Sequence, residues 1–148
     1  MLKIKNILFS ILSLCLIFSL YGCVEEDFIK STYKTLAVSQ VIYDNTFQVL
    51  SEMYKTGQIT EETKDTAIKY GYVYYESFII TRNALEEYVK EIEKGDNPTE
   101  GQKTMLNIFL AETVRKLYSL VELVEMFYGD LPNPELPVSN EVNELLKK

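Results

Sequence analysis

Past Lys30 the apolar residues return every three or four positions, the interval that keeps one side of an α-helix away from water. In the first segment Leu36, Tyr43, Phe47, Leu50 and Tyr54 fall on one side, with Lys34, Asp44, Asn45, Gln48 and Glu52 on another. Gly57 stands where a helix end favours a left-handed residue, and Thr60 followed by Glu61 and Glu62 reads as a fresh N-cap with acid in the first turn. A second helix then carries Ala67, Gly71, Tyr74, Phe78, Leu85, Tyr88, Val89 and Ile92 on its inner side and stops at Gly95. Asn97-Pro98-Thr99-Glu100 is a start signal, with Asn97 as cap and Pro98 in the first helical position. The third helix presents Leu106, Phe109, Leu110, Leu117, Leu120, Val124 and Phe127, and ends at Gly129.

Helices of this size each span roughly 40 to 50 Å, and connections this short make sequential helices antiparallel. The expected fold is all-α, an elongated antiparallel three-helix bundle with a short C-terminal helical tail. Three prolines between Leu131 and Pro137 bar a continuous helix there, while Val142, Leu145 and Leu146 share one side of a last short helix. Folding the second and third helices about their turn sets residue 112 opposite residue 81, so Arg82 and Glu112 are expected to meet as an interhelical ion pair. Gly71 predicts a close backbone approach by helix one.

The start of the chain follows a different pattern. Lys3 and Lys5 precede a 14-residue apolar run, Ile7 to Leu20, broken only by serines. That is the length of a secretory signal core and short of the roughly 20 residues a spanning helix needs. Leu20-Tyr21-Gly22-Cys23 follows, and then the acidic run Glu25-Glu26-Asp27. Leu20, Gly22 and Cys23 resemble the lipobox of bacterial lipoproteins with a type II signal peptide; Tyr21 is bulkier than the usual residue there. The resemblance implies cleavage before Cys23, several acyl chains on that cysteine, and membrane lipid as the partner of the anchor. It also implies an extracytoplasmic, envelope location, with Val24 favouring the outer membrane in a Gram-negative cell. The expected organisation is signal peptide 1–22, acidic tether 23–30, bundle 31–129, and proline-rich tail 130–148.

Composition narrows the function further. Of 148 residues, 15 are basic and 22 acidic, a net charge of -7. Cleavage removes two lysines, so the processed chain carries 13 minus 22, or -9. A phosphate-binding surface needs a basic patch, so nucleic acid is not an expected partner. With no histidine in the chain, neither a Ser-His-Asp nor a Cys-His arrangement can be built, and no enzyme is expected. No cofactor and no metal are expected; Asp96 to Glu100 lacks the alternating ligand spacing of a calcium loop. Cys15 leaves with the signal peptide, so the processed chain has one thiol, the acylated one.

Four tyrosines, Tyr70, Tyr72, Tyr74 and Tyr75, fall within six residues and cannot all face inward at 100° per residue. Tyr70 and Tyr74 point to the core, with Tyr75 on its border. Tyr72, Val73, Ile79 and Ile80 form a second apolar strip on the outer side of helix two. Either the tail folds over that strip, or the strip is an interaction surface for an envelope protein or a second copy. The leading expectation is a membrane-tethered interaction or structural module. A binding module for an apolar small molecule or lipid is the alternative, as is a phage or mobile-element lipoprotein of the superinfection-exclusion kind.

Overall fold

A computed structural model describes residues 2–128 and 140–147, with side chains for 25–127, 142 and 144–147. Four α-helices make up the fold, α1 (Leu2–Lys55), α2 (Glu61–Glu93), α3 (Glu100–Tyr128) and α4 (Asn140–Leu146), and no strand occurs among the described residues. The three long helices pack as the antiparallel bundle the periodicity predicts, with α2 and α3 sharing the most extensive contact. Among the described residues no helix is long and apolar enough to cross a membrane.

The turns follow from local chemistry. Gly57 and Gly95 take φ of +71° and +85°, and each ends its helix in the same way. The amide one residue beyond the glycine reaches back to a carbonyl five residues earlier, Gln58 to Met53 at 2.9 Å and Asp96 to Glu91 at 3.1 Å. Thr60 caps α2 as expected, its Oγ1 accepting from the Thr63 amide at 3.2 Å. At α3 the cap is Thr99 and not Asn97. Thr99 Oγ1 accepts from the Gln102 amide at 3.2 Å while Gln102 Oε1 accepts from the Thr99 amide at 2.7 Å, a reciprocal capping box.

The core runs the length of the bundle. Tyr74, Leu85, Val114 and Leu120 are fully buried, and Met53, Leu106, Leu117 and Val124 nearly so. Three residues assigned inward are not inside: Tyr54, Tyr70 and Phe127 are exposed. The interhelical register is right to within a residue, since Thr81 meets Thr113 (Oγ1–Oγ1 2.8 Å) and Ser77 meets Lys116 (2.7 Å). The expected Arg82–Glu112 pair nonetheless does not form. Arg82 turns to Glu86 on its own helix (3.6 Å), and Glu112 takes Arg115 (2.7 Å) and Lys116 (3.5 Å) on α3. Position 112 is matched to 81 in height, but the two charges lie on the outer flanks of their helices.

Two boundaries differ from expectation. The acidic stretch 23–30 is helical, part of an α1 that continues through it. Phe28 is buried and Glu25 is bonded to Tyr88 and Lys103, so the bundle begins no later than Glu25. The tail segment 129–139 lies outside the described residues, but α4 forms as its apolar spacing predicts. Val142 is fully buried, Leu145 and Leu146 pack on the core, and Arg115 Nη2 donates to the Leu145 carbonyl at 3.0 Å.

Candidate functional surface

The tyrosine run 70–75 builds the seam between α1 and α2. Tyr74 is fully buried, donates its hydroxyl to Ser39 Oγ at 3.0 Å, and stacks on Tyr43 with centroids 4.8 Å apart. Burial pushes the Tyr74 phenol up to about 12, with the Ser39 hydrogen bond pulling the other way. Tyr43 leans on Phe47 (4.8 Å), whose ring fills the space where Gly71 has no side chain. A Cβ at Gly71 would stand 2.4 Å from Phe47 Cζ. The glycine thus admits a ring of helix one and not its backbone, a correction to the close-backbone expectation.

Outward from this buried layer come Tyr75 and Tyr72. Tyr75 lies parallel to Phe78 at 6.4 Å and is 46% exposed; Tyr72 is 67% exposed. Both sit on the α1 side of α2, close enough to Tyr43 to add to the rise in its pKa, after burial and the Asp44 charge. Tyr70, expected toward the core, is exposed as well.

The four-residue strip expected on α2 divides in two. Residues seven apart share a side, so Tyr72 pairs with Ile79 next to α1, and Val73 with Ile80 on the other flank. Glu76, which is exposed, falls between the pairs. Val73 and Ile80 are exposed and Ile79 is half-buried. Among the described residues the first of these pairs adjoins an aromatic cluster, with Tyr72 and Tyr75 beside Tyr43, Phe47 and Phe78. Within the described residues the tail does not cover it, because α4 packs on α3 and makes no close backbone approach to α2.

Two polar clusters stand apart from the seam. Lys116 Nζ donates to Ser77 Oγ at 2.7 Å, a lysine–serine contact that the absence of histidine does not exclude. Ser77 is buried in mid-helix, where neighbouring amides are committed to α2 itself and cannot serve as oxyanion donors. With Glu112 3.5 Å from the same ammonium, the contact works as a link between helices. The second cluster lies toward the C-terminal end of α2. Glu25 of α1 accepts from the Tyr88 hydroxyl and, at 3.1 Å, from Lys103 Nζ of α3. Burial, then the Glu25 hydrogen bond and charge, holds the Tyr88 phenol well above its usual range. No sequence signal pairs residues 63 and 78 positions apart, which is why this cluster was not anticipated.

The Cys23 side chain lies outside the described ones. Among the described residues no group of three His, Cys, Asp or Glu side chains is placed to hold a metal ion. Compared with protein-family models, curated proteins and solved structures, the chain matches none.

Proposed function

We propose that this chain is a lipid-anchored interaction module of the bacterial envelope. Acyl chains on Cys23 hold the helical bundle at the extracytoplasmic face of a membrane, and the seam at Tyr72 and Tyr75 contacts a partner protein. The anchor rests on the lipobox-like Leu20-Tyr21-Gly22-Cys23 between an apolar run and an acidic one. Two or more acyl chains give stable attachment where a single chain is marginal.

The observation that carries the interaction reading is the exposure of Tyr72 and Tyr75 beside the packed aromatic layer of Tyr43, Tyr74 and Phe78. Tyrosine has few rotamers to lose, a large apolar face and a hydroxyl that tolerates both water and a partner, so it is favoured at contact sites. An apolar ligand held between the helices has less in its favour, since Tyr74, Leu85, Val114, Leu117 and Leu120 fill the bundle axis.

A photo-cross-linking residue placed at Tyr72 tests the reading, with one at Val41, exposed on the outer side of α1, as control. In membrane fractions the expected result is one discrete adduct from position 72, lost when Tyr75→Ala is added, and none from position 41. The same adducts from both positions, or none from either, would contradict the assignment.

A further inference from the structure

Read from sequence, residues 23–30 are a linker with about 25 Å of reach. The structure removes that slack. α1 passes through Cys23 and continues without a break into the bundle. Two residues later Glu25 is held from two sides, by the Tyr88 hydroxyl of α2 and by Lys103 of α3. One turn on, Phe28 is buried edge-on to Tyr88 with centroids 5.7 Å apart, and Lys103 Nζ lies 4.9 Å from its ring centroid. All three helices are therefore pinned together within about a turn of the anchor residue.

We propose, building on the reading of Cys23 as the acylated residue, that the bundle is mounted on its membrane without a hinge. The end carrying the α2–α3 turn then faces the lipid headgroups, and the α1–α2 turn stands at the far end. Two residues of backbone between Cys23 and Glu25 reach at most ~7 Å. Gln58 lies 33 residues beyond Glu25, which at 1.5 Å per residue places it roughly 50 Å along the bundle. Tyr43, against which Tyr72 and Tyr75 gather, is 18 residues from Glu25 and so about 27 Å along it. A partner of the aromatic seam must reach that height above the bilayer. The processed charge of -9 favours the upright pose over one lying along an anionic membrane, because the long side would be repelled.

The same geometry gives the acidic run a second role. Once the signal peptide is cut away, Glu25, Glu26 and Asp27 occupy the first turn of a newly made helix start, where carboxylates complement the positive end of the helix dipole.

The test uses the full, processed protein in vesicles of phosphatidylcholine and phosphatidylglycerol carrying a headgroup quencher. With Cys15 removed and Cys23 acylated, an introduced thiol is the single one free to label. A fluorophore at Asn97→Cys is expected to be quenched several-fold more than one at Gln58→Cys. A flexible Gly–Ser insertion after Val24 should shrink that difference. Equal quenching at the two positions on vesicle-bound protein overturns the hinge-free mounting and leaves the anchor standing. Protein that stays off the vesicles, with a bare Cys23 by mass, overturns both.

Discussion

Helices α2 and α3 bury a run of leucines along their shared side, with the Thr81–Thr113 pair among them, whereas α1 alternates its buried Phe28, Leu36, Leu50 and Met53 with a stripe of small hydroxyls. The α2–α3 side is made by Leu85, Tyr88, Leu106, Leu110, Leu117 and Leu120. Down the inner side of α1 run Thr32, Thr35, Ser39 and Thr46, all buried. Each hydroxyl donates to a carbonyl of its own helix: Thr32 to Phe28 at 2.9 Å, Thr35 to Ser31 at 2.9 Å, Ser39 to Leu36 at 2.8 Å and Thr46 to Ile42 at 2.7 Å. A hydroxyl that donates within its own helix is buried with its hydrogen satisfied, and Ser39 also accepts from Tyr74 across the interface. Such a hydroxyl contributes less apolar area than a leucine would. The leucine-rich α2–α3 side is therefore expected to contribute more apolar burial than the hydroxyl stripe, while α1 supplies Tyr43 and Phe47 at the aromatic edge of the seam.

Breaking the leucine-rich side has the largest expected effect. Leu85→Ala removes a fully buried side chain and should cost about 2 to 5 kcal/mol by chemical denaturation. A loss under about 1 kcal/mol would mean that Leu85 does not hold together the core it shares with Phe28, Leu36, Leu106 and Leu110.

Alkaline pH probes the α1 side next. The Tyr74 phenol is raised in the folded state, so the fold favours its neutral form. That contribution is complete below about pH 10, where the unfolded phenol is still protonated, and is lost between about 10 and 12. The expected loss is about 2 to 3 kcal/mol, reduced in Tyr74→Phe, which has no proton to release. Equal pH dependence in the two proteins, measured by thermal melts at pH 9 and 11.5, would show that Tyr74 does not carry it.

Gly71→Ala follows. Its Cβ would collide with Phe47, and overpacking of this kind costs about 1 to 3 kcal/mol, offset in part by the ~1 kcal/mol that alanine gains in helix propensity. Net destabilisation of about 1 kcal/mol is expected, relieved by Phe47→Leu in a double-mutant cycle. The smallest change is Thr46→Val, which removes only a bond within α1 and should shift stability by less than about 1 kcal/mol. A larger loss would mean the hydroxyl stripe does more than fit between helices.

The same contrast explains what was legible in the sequence. Helices α2 and α3 announce themselves because Tyr74, Leu85, Tyr88, Leu106, Leu117 and Leu120 stand out at helical spacing among smaller buried residues such as Ser77 and Thr81, and because Gly57, Thr60 and Gly95 mark the turns. The α3 cap was legible in principle, since Thr99 and Gln102 have capping-box spacing, but Asn97-Pro98 gave a competing start two residues earlier. Half of α1 was not legible. Hydropathy counts Thr32, Thr35, Ser39 and Thr46 as polar, so only the Leu36–Tyr43–Phe47–Leu50 edge stood out, and the helix seemed to begin past Lys30. The spacing of Phe28, Thr32, Thr35 and Ser39, by fours and threes, was the available signal.

The surface was partly readable. A helical wheel is enough to put Tyr72 outside and Tyr74 inside. It cannot say that α4 would lie along α3, where Arg115 meets the Leu145 carbonyl and Val142 enters the shared core. Nor can it show that Arg82 and Glu112, matched in height, would each find a partner on its own helix.

Everything proposed about function depends on the sulfur of Cys23. Intact-mass measurement of the protein extracted from the membrane fraction tests it directly. The account predicts a chain of 126 residues (148 minus 22), beginning at Cys23 and heavier than its sequence mass by several fatty acyl groups. A chain beginning elsewhere, or one beginning at Cys23 with an unmodified thiol, would contradict it.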